Sequence, residues 1–330
     1  MKMKTSKEPS KARPEIAVPA VRPKLQEILA ATDFSDHSLP AVRYALALSA
    51  KSGASLALLH VVELASSLSG MESVVLARTN TEISSLVHTR LEALAQRETR
   101  NAEKVTTVVR TGKPFHEIAL AASESAADLI VIATHGYTGA KRVLLGSTAE
   151  RVVRHAPCPV LTIPTHTTPS RTFRTPPIKL KKILVPIDFS DISKDALPWA
   201  ASWAAQFGAA LILLHIEEEF PIDYLLGREL MSHTIVPLMK QAEADLARIA
   251  ASLSKSTGLN VSAVVRSGRP FEEICHAAKT LGADMIVLTT HGHTGLQHVW
   301  LGSTAERVVR HAHCPVLTVR ESNRKTLEAC

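Results

Sequence analysis

A chain of 330 residues, 45% hydrophobic, is longer than one compact core usually serves and holds apolar surface enough for two. Aromatics at 4% leave the packing to Ala, Val, Leu and Ile. The net charge of +7 does not mark a nucleic-acid binder, because residues 1–23 carry six basic against two acidic side chains, residues 164–182 carry five basic and no acidic one, and the remainder is close to neutral.

Residues 1–23, with four prolines among many charges, cannot bury a core and read as a disordered basic tail. They lack the apolar stretch of a secretory signal, and no run approaches the roughly 18 apolar residues that a spanning helix needs. A first domain is expected over 24–164. Short apolar runs at Glu27–Ala31, Ser55–Val62, Val105–Arg110, Leu129–Ala133 and Val160–Ile163 have strand length. Between them, Phe115, Ile118, Ala119 and Ala122 recur at helical spacing, as do Ala149, Val152, Val153 and Ala156, and 71–101 carries a longer helical pattern. Residues 165–178, rich in Pro and Thr, read as an extended linker.

From 179 the chain begins again, and a second domain is expected over 179–320, followed by a tail at 321–330. "KLQEILAATDFSDHS" returns as "KLKKILVPIDFSDIS", "GASLALLHVVE" as "GAALILLHIEE", and "VVRTGKPFHEI" as "VVRSGRPFEEI". "THGYTGAKRVLLGSTAERVVRHAPCPVLTI" returns as "THGHTGLQHVWLGSTAERVVRHAHCPVLTV". Two domain-sized copies make this a tandem duplication. Strands alternating with helices imply an α/β fold, a doubly wound parallel sheet in each copy, with ligands outside the carboxyl ends of the strands. Cys158 and Cys314 hold equivalent places before prolines and lack CxxC spacing, so packing rather than a disulfide framework explains them, and a reducing cytoplasm fits.

Asp33 and Asp188 fall just past the first strand of each copy, at that ligand edge. A carboxylate there can accept from an adenine amino group or a ribose hydroxyl, or it can cap the next helix. After the fourth strand stand Ala133, Gly136 and Gly139, then Gly146-Ser147-Thr148 at a helix start. Amide N–H groups beside a glycine, with hydroxyls next to them, suit phosphate, although Gly-Ser before a helix is also an ordinary N-cap. Thr289, Gly292, Gly302, Ser303 and Thr304 repeat the arrangement.

These segments resemble the universal stress protein family over nearly all of 24–320. The carriers are the two "DFSD" openings, the "LLHV" and "LLHI" strands and the "HGYTG…LLGSTAERVVRHAPCPVL" ending. The resemblance implies a five-stranded parallel sheet of order 3-2-1-4-5 per copy and pairing through last strands, here of the copies with each other, with a homodimer of whole chains also open. It further implies ATP as ligand, with or without Mg²⁺, held by a G-x2-G-x9-G-[ST] loop. Gly136 and Gly146 with Ser147 match its later positions, as do Gly292 and Gly302 with Ser303; Ala133 and Thr289 replace its first glycine. The implied base-side wall is Ala31, Thr32, Asp33 and Val61 in copy one, and Pro186, Ile187, Asp188 and Ile216 in copy two.

Gly112-Lys113-Pro114 and Gly268-Arg269-Pro270 lack the rest of a P-loop and read as tight turns with proline at a helix start. His155 with Cys158, and His311 and His313 with Cys314, offer too few ligands for zinc. Glu150-Arg151 and Glu306-Arg307 read as surface ion pairs. No general base, arginine finger or metal-holding carboxylate pair accompanies the loop, so a regulatory ATP-binding protein with little or no hydrolysis is expected. A scaffold of the same fold that binds no nucleotide is the alternative, and a nucleotidyl transferase lacks its motif.

Overall fold

A computed structural model describes residues 24–63, 73–99, 104–135, 145–165, 178–218, 236–290 and 302–320. The basic tail, most of the linker and residues 321–330 lie outside them. In copy one the strands are β1 (Glu27–Ala31), β2 (Ser55–Val62), β3 (Val105–Thr111), β4 (Leu129–Ala133) and β5 (Val160–Ile163), alternating with α1 (Leu39–Ser52), α2 (Ser73–Glu98), α3 (Pro114–Glu124) and α4 (Ser147–His155). Copy two repeats them as β6 (Lys182–Pro186), a single turn α5 (Asp191–Lys194), α6 (Ala196–Phe207), β7 (Ala210–Glu218), α7 (Val236–Thr257), β8 (Val261–Gly268), α8 (Pro270–Leu281), β9 (Met285–Thr289), α9 (Ser303–His311) and β10 (Val316–Val319).

The sequence pattern leaves 39–52 and 196–207 unassigned, since alanine and leucine recur there almost continuously instead of in one stripe. Both are helices, and α6 buries eight of its residues, Trp199 and Trp203 among them. Gly53 and Gly208 end α1 and α6 at φ 76° and 69°, the left-handed conformation that glycine adopts at low cost.

Strand order is β3-β2-β1-β4-β5-β10-β9-β6-β7-β8, in a single ten-stranded sheet. Every pairing is parallel except that of β5 with β10, which is antiparallel. At this seam Leu161 faces Leu317, Thr162 faces Val316 and Val160 faces Thr318. The Thr162 hydroxyl donates to the Val316 carbonyl at 3.2 Å, and the Thr318 hydroxyl answers with 3.1 Å to Val160 O. Both threonines are buried, so each hydroxyl is satisfied across the seam. Because the halves run antiparallel there, the carboxyl ends of β1–β5 and of β6–β10 lie on opposite edges of the sheet.

Two cores cover the two faces, and each draws residues from both copies. One lies under α1, α2, α6 and α7, the other under α3, α4, α8 and α9. β4 (LIVIA) and β9 (MIVLT) are buried along their whole length, as strands with helices on both sides must be. The ion pairs on the last helices differ from the adjacent pairs expected. Glu150 meets Arg154, and Glu306 meets Arg310, at 2.9 and 2.7 Å, because one helical turn and not one residue brings side chains together. Arg151 and Arg307 instead lie over the rings of Phe115 and Phe271, 5.0 Å from each centroid. Arg154 also reaches Glu306 across the seam at 4.0 Å.

Leu161 is fully buried at the seam, and Leu161→Ala should cost about 2–5 kcal/mol of stability, read from urea unfolding. Cys158 and Cys314 are buried free thiols. Burial pushes each up to about 12, with Asp128 adding for Cys158, and Cys275 and Asp284 for Cys314. Both therefore stay protonated at pH 8, with a thiolate fraction of roughly one in ten thousand. Alkylation of the native protein at pH 8, followed by peptide mass spectrometry, should leave both unmodified until denaturant is added.

Candidate functional site

At the carboxyl edge of copy one lies a cavity of about 260 Å³, and copy two has its equivalent, about 230 Å³, on the opposite edge. The first is walled by Ala31, Thr32 and Asp33 from the end of β1, Val61 from β2, Ala133 from β4, and Gly146, Ser147 and Thr148 from the start of α4. Pro186, Ile187, Asp188, Ile216, Thr289, Gly302, Ser303 and Thr304 wall the second. The structure thus gathers each set of expected residues around one space. Gly136 and Gly292 lie outside the described residues.

The wall beyond β1 is a strained turn. Thr32 N–H still donates to Leu59 O at 2.9 Å, but the next residues leave the sheet, and Phe34 adopts φ 61°. A bulky side chain in that left-handed region costs on the order of 1–3 kcal/mol, so the turn needs support. Asp33 Oδ1 supplies it by accepting from the Ser35 N–H at 3.0 Å and the Ser35 hydroxyl at 2.6 Å. The Phe34 ring packs on His60 with centroids 4.6 Å apart. His60 Nδ1 in turn meets the Thr32 carbonyl at 2.8 Å and must carry the proton there. Copy two repeats the device with Asp188, Ser190, Phe189 at φ 63° and His215. Neither aspartate caps the following helix, because Ser38 and Ser190 hold those positions. One carboxylate oxygen of each serves the turn.

The opposite wall is a helix start. Gly146 and Gly302 are the N-caps, at φ −60° and −66°, angles open to any residue. What glycine contributes there is a bare backbone rather than a special conformation. Ser147 and Ser303 are the first helical residues, not caps as the ordinary reading would have them. Glu150 N–H is bonded back to Gly146 O, so the amides of Ser147, Thr148 and Ala149 have no acceptor within α4 and border the cavity. Gly146 N–H donates to Thr134 O at 2.8 Å, and Thr134 N–H to Ile163 O at 3.0 Å, which ties this start to β5. Among the described residues neither cavity wall includes a Lys or Arg. Attraction for an anion there rests on amide dipoles and hydroxyls.

The copies are unequal. Thr32, whose hydroxyl lies 2.9 Å from that of Ser38, is Ile187 in copy two. Ala133 closes β4 where branched Thr289 closes β9. His60 lines its cavity; His215 is buried, with Nε2 3.5 Å from Glu217. Sequence reasoning missed Pro114 and Ile118, and Pro270 and Ile274, in the cavity walls. Their signal was present, since the Gly112-Lys113-Pro114 turn follows a parallel strand and must fall at the same carboxyl edge. That turn is as tight as expected, with Lys113 as N-cap of α3 and Gly112 at φ +149°, where a Cβ would stand 2.9 Å from Glu117 Oε1.

The profile of the Universal stress protein family matches residues 24–164 and again 179–320. Universal stress protein MJ0531 of Methanocaldococcus jannaschii is 33% identical over 145 residues, which span 44% of this chain and 85% of that protein. MJ0577 of the same organism is 31% identical over 160 residues, 44% of this chain and 98% of that one. In fold, the chain is similar to the crystal structure of a universal stress protein from Archaeoglobus fulgidus, with TM-score 0.63 and 23% identity, covering 89% of this chain and 96% of that one.

The aspartate turn sets a test of its own. Asp33→Asn keeps the accepting oxygen and should leave thermal stability close to wild type. Asp33→Ala removes the acceptor of two hydrogen bonds and should cost roughly 1–2 kcal/mol in urea unfolding.

Proposed function

Since the chain belongs to the universal stress protein family and carries two of its domains in tandem, we propose that it is a cytoplasmic regulatory protein that binds ATP, with or without Mg²⁺, and hydrolyses it little or not at all. The observation that carries this reading is the meeting, across one cavity, of the strained Thr32–Asp33 turn and the bare amide start of α4. Ala31, Thr32, Asp33 and Val61 would receive the base and ribose. Ala133, Gly136, Gly146, Ser147 and Thr148 would receive the phosphates, where amide N–H groups and the positive end of a helix favour an anion. Little hydrolysis is expected, because among the described residues the wall offers no cation against developing charge on a transferring phosphoryl group.

Copy two would use Pro186, Ile187, Asp188, Ile216, Thr289, Gly292, Gly302, Ser303 and Thr304 in the same way. A second reading, a supporting domain that binds no nucleotide, is favoured there by one observation. The branched side chain of Thr289 stands in its wall where copy one has only the methyl of Ala133. A branched side chain at that point takes more of the room in which a ligand could approach the backbone than a methyl does.

Denaturing the purified chain and analysing the supernatant by mass spectrometry should release adenine nucleotide, and calorimetric titration should show ATP uptake. Absence of both at millimolar ATP would leave only the scaffold reading. Gly146→Val should weaken binding about tenfold or more, roughly 1.4 kcal/mol, whereas Gly302→Val should change it little. The reverse order would move the working site to copy two.

A further inference from the structure

One hydrogen bond between the copies has no mirror image among the described residues. Arg320, the residue after β10, donates from Nη1 to the carbonyl of Ala156 at 2.7 Å. Ala156 is the C-cap of α4 and is fully buried. The residue equivalent to Arg320 in copy one is Pro164, which has no side-chain donor to offer Ala312, the C-cap of α9. The last carbonyls of a helix lack partners within it, and a cation placed there is favoured by the helix dipole as well as by the hydrogen bond. Arg320 is not alone at that end of α4. The pKa of His155 is lowered by desolvation and then by the charges of Arg154, Arg320 and Arg151.

α4 is a single rigid piece of nine residues, roughly 13 Å long. Its far end is the Gly146–Ala149 wall of the copy-one cavity. We propose that Arg320, supplied by the second copy, is a positioning residue for the first copy's site: by holding the carbonyl end of α4 it fixes where the amide end points. This rests on copy one being the nucleotide site. It gives copy two a part in that site without a ligand of its own, and among the described residues α9 has no equivalent brace.

The test uses the full chain with Arg320→Ala and Arg320→Lys, read by ATP calorimetry and by native-state hydrogen exchange. Arg320→Ala should weaken ATP binding about fivefold and speed exchange of the Ala156 amide, which donates to Val152 O. Arg320→Lys, which keeps the charge and one donor, should recover part of both. A lowered Tm with affinity and exchange unchanged would make Arg320 mere seam adhesive and overturn the proposal. If the wild-type chain takes up no ATP, the nucleotide reading fails on its own. Exchange then still decides whether Arg320 fixes α4, and an unchanged Ala156 amide would overturn that as well.

Discussion

Three residue pairs of antiparallel ladder, between β5 and β10, set the conditions for everything else in the molecule. Without them each copy would end its sheet in a four-residue strand, buried on both faces and open along one edge, which is the kind of edge that recruits other chains. With them the two sheets become one and the cores on both faces become continuous. The exposed edges retreat to β3 and β8. The pairing also turns one copy end over end relative to the other, so the two cavities open on opposite edges and can influence each other only through the elements that join them.

Much of this was legible in the sequence because burial writes itself into parallel strands. "LIVIA" is wholly apolar and "MIVLT" is apolar up to its closing Thr289, the near-continuous run expected of a strand with helices on both faces. α3 and α4 were legible through their single stripes. α1 and α6 were not, since helices rich in alanine and leucine almost throughout carry no periodicity to read. The cavity walls from β1, β2, β4 and α4 followed from one rule about the carboxyl edge, but Pro114 and Ile118 were passed over because their segment had been explained as a turn. The left-handed Phe34 and Phe189 had no signal at all. Nothing in a phenylalanine announces positive φ, and in copy one it is the surrounding Thr32, Asp33, Ser35, His60 and Arg90 that support it.

The two walls of the cavity are built on different principles. On one side a strained turn is pinned by an aspartate and a serine, and buttressed by a histidine whose proton is spoken for. On the other a helix start borders the cavity with the amides of Ser147, Thr148 and Ala149 beside a glycine N-cap. Neither wall places a Lys or Arg among the described residues. An anion in such a cavity would be held by shape and by fixed dipoles rather than by long-range attraction, and that would depend on keeping α4 in register with β1. The difference between Ala133 and Thr289 is one small substitution at the wall; the brace on α4 is another, remote from it.

The unmatched contact between Arg320 and Ala156 has a consequence for how such a chain can change. In a dimer of identical chains every substitution appears on both sides of the two-fold axis, and what helps one site must be borne by the other. Joining the copies in one polypeptide lifts that constraint, and it also makes their association independent of concentration. A proline can stand at 164 and an arginine at 320, so that the symmetry of the fold persists while its two halves take up different work.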